Sequence, residues 1–259
     1  MPIHDWTRVP AGTCHAFHLS WISEIQEAFN GGLLPHSYYA QAEQVIGPMG
    51  PDVLTLQESD PSDLDTDFYG TTDFSSSPAD AGGGVATASL AMRYHELVEM
   101  NAYVPKRRLL TIRHTSGDRI VALLEIVSPG NKASQYAIDT FVKKATECVE
   151  RGYHVSIIDL FPIGPRDPHG IHSLIWKHFS PTAIELPAGE PLSLVAYNAG
   201  PSKEAYLEPT AVGHALVDLP LFLRTNFHVN VPLEATYLSA YRGVPQRWKN
   251  VLELPETTE

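Results

Sequence analysis

The 259-residue chain sets 18 basic side chains against 30 acidic ones, a formal charge of -12, with 43% hydrophobic and 19% charged residues. This is the balance of a globular chain long enough to bury a sizeable core, and its negative charge argues against a broad phosphate-binding surface. No apolar run approaches the ~20 residues of a membrane helix, and the N-terminal MPIHDWTRVPAG lacks the basic and apolar regions of a signal peptide. Two cysteines, Cys14 and Cys148, supply neither a disulfide framework nor a zinc site, so a cytoplasmic location without membrane contact is expected. A homodimer is compatible with these bounds.

Residues 4–12 read as an irregular arm. Phe17, Trp21, Ile22, Ile25 and Phe29 then recur at helical spacing, and Asn30-Gly31-Gly32 stops the helix. Residues 38–46 (YYAQAEQVI) alternate as a strand with Tyr39, Gln41, Glu43 and Val45 on one face. A Gly/Pro turn leads to a second strand at 51–56, opened by Asp52. Residues 58–89 are rich in Ser, Asp, Gly and Thr and predict a flexible excursion. A short element is expected at 92–100, and a strand at 109–114 joined by a turn to the next strand.

The most informative stretch is 119–160. Residues 120–127 are almost continuously apolar, as in a strand covered on both faces, yet contain Glu125. Ser128-Pro129-Gly130-Asn131 ends that strand. Ile138, Phe141, Val142, Ala145, Cys148 and Val149 mark a helix, Gly152 is placed to terminate it, and 154–160 is a second strand with Asp159 near its end. The result is a βαβ unit with parallel strands. Beyond it, a short helix is expected at 171–179, a strand at 191–199, extended chain at 206–209, an edge segment at 219–223 because of Pro220, and a closing helix at 233–241.

Two carboxylates on neighbouring strands can share a Mg²⁺, with a lysine nearby to orient water or stabilise phosphoryl charge. Asp52 and Glu125 fit that role, and Glu43 is an additional acid. On the helical wheel Lys143 lies opposite the apolar stripe and Lys144 at its border, so of the two only Lys144 can reach toward Glu125. Lys132, in the turn after the strand, is the second candidate lysine.

LLEIVSPGNK, the helix with Lys144, and YHVSIIDL resemble the core of a bacterial family of unknown function. Its members carry an IE-V-LSP-x-NK strand-turn and a VHLVEIDLL strand. The N-terminal arm, GGLLP-x-x-YY and the PDV at Pro51 extend the resemblance over most of the chain. That family is similar to the Uma-type proteins classed as restriction endonucleases, with PDLVVEVLSPS and then a helix bearing one lysine, and both resemble the PD-(D/E)XK nuclease superfamily. The resemblance implies an α/β fold: one domain with a mixed sheet flanked by helices, a restriction-endonuclease-like core over about 15–161, and a C-terminal extension over about 162–259. It makes Asp52 the motif aspartate, Glu125 the acid of the E-x-K element and Glu43 a further acid. At the position of the motif lysine stands Val127, so Lys144 is read as a migrated lysine.

Other readings of the same residues stand beside this one. Glu125 pairs structurally with Arg113 or Lys132, and the protein is a binding or scaffolding module that kept the fold after losing catalysis. A histidine-based hydrolase would draw on His169, His172 and His178 with Asp159. Lys106-Arg107-Arg108 is the local patch best suited to nucleic-acid phosphates on this acidic chain.

Overall fold

The helix that follows the N-terminal arm shows how the first core is built. In the computed structural model, which describes residues 3–45, 107–181 and 185–253, α1 spans Ala11–Ala28 and buries Cys14, Phe17, His18, Trp21, Ile22 and Ile25 at three- and four-residue spacing. It ends in a π-helical turn, Phe29–Leu33, in which Gly32 adopts φ +126°, a conformation that disfavours any side chain. The expected strand at 51–56 with Asp52, the excursion at 58–89, the element at 92–100 and Lys106 lie outside the described residues. The described residues belong to one compact unit assembled from 1–51 and 105–259.

A six-stranded mixed sheet runs in the order β1 (Tyr38–Val45), β2 (Arg107–His114), β3 (Arg119–Ile126), β4 (His154–Asp159), β5 (Leu192–Asn198) and β6 (Glu204–Thr210). Every pairing is antiparallel except β3 with β4, which is parallel. The parallel pair needs a crossover, provided by the short helical turn α2 (Pro129–Lys132) and by α3 (Gln135–Glu150). Ser134 Oγ caps α3 by accepting the Ala137 N–H at 3.1 Å, and Gly152 at φ +88° lets the Tyr153 N–H close on the Cys148 carbonyl at 3.0 Å.

The sheet separates two cores. One face presents Ala40, Leu110, Ile112, Ala122, Leu124, Ile126, Ile158, Leu194 and Ala196 to a cluster shared with α1, the β7–β8 hairpin (Leu219–Arg224 and Phe227–Val231) and α5 (Leu233–Arg242). The other face buries Leu109, Leu123, Ile157, Val195 and Tyr197 on the side of α3 and α4 (Gly170–Trp176). Burying Ile138 or Phe141 of α3 stabilises by roughly 1.5–3 kcal/mol each, which fixes the rotation of α3 over the sheet. No helix among the described residues is long and apolar enough to cross a membrane.

Several elements refine or extend the expectations. The arm is not irregular throughout: Trp6–Arg8 is a 3-10 turn, His4 stacks on Tyr241 with ring centroids 4.1 Å apart, and Ile3 exchanges backbone hydrogen bonds with residues 213 and 214. The segment around Pro220 belongs to the β7–β8 hairpin, where the Pro220 carbonyl accepts from Ser156 Oγ at 3.1 Å. Residues 206–209, expected to be extended, lie within β6, the last strand of the sheet order, where a proline is tolerated. Strand β8 and helix α6 (Gln246–Glu253) had no clear sequence signal. Residues 162–259 continue the sheet through β5 and β6 as well as covering it.

The outer edge of β1 is closed by side chains from α1 and its turn. Asn30 Oδ1 accepts the Ala40 N–H at 2.8 Å and Nδ2 returns a bond to the Ala40 carbonyl at 2.9 Å, while Gln26 Oε1 accepts the Ala42 N–H at 3.0 Å. Two amides thus stand in for a neighbouring strand.

Candidate functional site

The candidate site forms where β3 and α3 face each other. Strand alternation puts Leu123, Glu125 and Val127 on the α3 side, and Glu125 is almost fully buried there. A carboxylate at that depth is costly without a partner. Lys144 supplies one: its Nζ lies 3.3 Å from Glu125 Oε2, with side chains 16% and 11% exposed. Lys143, one residue earlier, points to solvent at 77% exposure and lies 3.8 Å from Glu147. The helical-wheel distinction between the two lysines therefore describes the structure.

Cys148, one helical turn beyond Lys144, is buried against this pair. Burial pushes its thiol up to about 11, with Lys144 pulling the other way and Glu125 adding to the rise. It is a protonated packing group at neutral pH. Val127, two residues after Glu125, is 1% exposed. Its backbone N–H bonds the Ile158 carbonyl at 2.8 Å, extending the β3–β4 ladder by a residue.

Sheet register sets Glu43 in line with Glu125. Glu43 pairs with Leu109, and the Leu110–Leu124 pairing carries Leu109 opposite Glu125. The two acids share a face with one strand between them, about 9–10 Å apart at the backbone. Glu43 Oε1, however, accepts from Arg113 Nη2 at 2.7 Å, from Thr111 Oγ1 at 3.0 Å and from Arg113 Nε at 3.2 Å. Arg113 also reaches Asp118 Oδ2 at 3.3 Å, and Tyr39 donates to Asp118 Oδ1. Arg113 is therefore the partner of Glu43 and Asp118, and Lys144 the partner of Glu125.

Lys132 is engaged elsewhere. Its Nζ sits 2.8 Å from Asp159 Oδ2, 2.9 Å from Asp167 Oδ2 and 2.8 Å from the Phe161 carbonyl. Asp167, in the Pro/Gly-rich stretch after β4, escaped the sequence reading; the only signal was an Asp within GPRDPHG. The histidines are likewise dispersed: His169 Nδ1 lies 3.9 Å from Glu185, His172 bonds the buried Tyr197 hydroxyl at 2.8 Å, and His178 bonds Glu150 at 2.7 Å. Asp159 has Lys132 as its cationic partner.

Comparison of the chain with protein-family models, with curated proteins and with solved structures returned no match. The chemistry rests on the site. Among the described residues no three His, Cys, Asp or Glu side chains are grouped so as to hold a metal ion. Glu125 is a single carboxylate with a lysine beside it, Glu43 is turned to its arginine, and Asp52 and the side chains of Arg107 and Arg108 fall outside the described set.

Proposed function

We propose that this protein is a nuclease-like phosphodiesterase in which Glu125 and Lys144 form the acid–lysine pair. The observation that supports this reading is the 3.3 Å contact between Lys144 Nζ and Glu125 Oε2, made by the helix that follows the acid-bearing strand. A lysine delivered from that helix occupies the chemical role left empty by Val127. Its ammonium, oriented by the carboxylate, is the group to stabilise negative charge on a phosphoryl oxygen. Lys132 is left out because three oxygens within 3 Å already hold its ammonium.

Within this proposal Mg²⁺ would be held by Glu125 and Asp52, with Glu43 as auxiliary acid once released from Arg113. The described residues by themselves do not compose a metal site. A divalent cation would supply Lewis-acid stabilisation and lower the pKa of a bound water. The core would be restriction-endonuclease-like, the location cytoplasmic, and the partner a nucleic acid engaged through a local patch that includes 106–108, since the charge of -12 disfavours a wide footprint.

The burial of Val127 favours a second reading, a binding module that retains the fold without catalysis. Calorimetric titration with Mg²⁺ and Mn²⁺, on wild type and on Glu125→Gln, separates the two. Binding in the wild type that is lost in the variant, followed by DNA or RNA cleavage abolished in Lys144→Met, upholds the nuclease reading. Absence of metal binding by the folded wild-type protein defeats it and leaves the binding module.

A further inference from the structure

We propose that Lys132, Asp159 and Asp167 form a proton-taking clasp that fastens residues 161–169 to the end of β4 and loosens as pH rises. The proposal is independent of any phosphodiester chemistry. One ammonium lies between two carboxylates, and the three side chains are 12%, 4% and 3% exposed. Such a cluster carries one uncompensated negative charge away from water, and binding a proton removes it.

The clasp has defined ends. Lys132 projects from α2, just after β3. Asp159 closes β4, and its Oδ1 accepts the Phe161 N–H at 3.2 Å. Asp167 Oδ1 accepts the Gly164 N–H at 2.9 Å, within the segment it helps to hold. The Lys132 ammonium also donates to the carbonyls of Phe161, at 2.8 Å, and Pro162, at 3.4 Å. Asp167 Oδ2 meets the ammonium as a charge contact without an aligned hydrogen bond, so it is the less satisfied of the two acids.

Among the described residues, the charged groups facing Asp159 are Lys132 and Asp167. Burial raises the Asp159 carboxyl from 3.8 to about 6, against the downward pull of Lys132 and with Asp167 adding to the rise. A raised acid binds its proton more tightly in the closed form than in the open one. The resulting stabilisation is complete below the open-form value, and is lost as pH rises through the closed-form value.

Amide hydrogen exchange on the full chain, corrected for intrinsic rates, tests this at the Phe161 and Gly164 amides. Between about pH 5 and about pH 8 their protection is expected to fall about tenfold, the ratio set by the two Asp159 values. Asp159→Asn and Asp167→Asn each leave one carboxylate for one ammonium and are expected to abolish that slope. Flat protection in the wild type, or an unchanged slope in a folded Asp159→Asn variant, would overturn the clasp. Should that variant not fold, the wild-type slope and Asp167→Asn decide.

Discussion

Lys144 and Glu125 meet across the α3–β3 interface at 3.3 Å, both largely shielded from water. The contact joins a helix to the strand that precedes it, and its two members act as a unit. Lys144→Met leaves a shielded carboxylate and is expected to destabilise by roughly 1–3 kcal/mol. A double-mutant cycle with Glu125→Gln should return a coupling of about 1 kcal/mol or more in chemical denaturation. Additive losses would show that the two side chains do not interact.

Val127→Lys puts a lysine two residues after Glu125, where the native side chain is fully packed. A buried amine without a carboxylate prepared for it should cost about 3 kcal/mol or more, read as a lower midpoint in guanidinium. A neutral effect would mean that the Val127 environment opens to solvent or to Glu125.

His172 carries an acid-stability prediction. Its ring is stacked near Tyr197 and Trp176, Nε2 has no hydrogen-bond partner among the described residues, and burial lowers its pKa from 6.5 to about 4. The unfolded chain takes up the proton first, so this stability is present above the unfolded value and lost as pH falls toward the folded one. Going from about pH 8 to about pH 5 should cost about 2 kcal/mol at this residue. His18, lowered to about 3 by burial and by its neighbour His15, acts in the same direction, while Asp159 opposes both. Urea titrations at the two pH values should show a smaller acid loss in His172→Phe than in wild type.

Tyr237→Phe tests the anchoring of the N-terminal arm. The hydroxyl accepts the Trp6 indole N–H at 3.0 Å and the His4 backbone N–H at 3.2 Å, and contacts His4 Nδ1 at 2.8 Å. Its removal orphans buried donors and should cost roughly 1–3 kcal/mol. Faster exchange of the His4 amide, with the sheet amides unchanged, would localise the loss to the arm.

The sequence by itself determined the parts of this protein whose pattern is local. Residues 119–160 announce two buried strands and an amphipathic helix because apolar spacing follows the periods of strand and helix, and the same wheel that identifies the stripe of α3 places Lys144 at its edge. Tertiary structure decided the partnerships. Whether Glu125 pairs with Arg113, Lys132 or Lys144 depends on sheet order and helix rotation, which arise from the summed burial of residues far apart in the chain. The joining of Lys132 to Asp159 and Asp167, and the alignment of Glu43 with Glu125 through Leu109, are likewise products of register. Strand β8 and helix α6 gave weak signals because α6 buries chiefly Leu252, and β8 leaves Phe227, His228 and Asn230 exposed without a regular alternation. Local periodicity can state what each segment is; only the closing of the two cores against the sheet states which charges must neutralise one another.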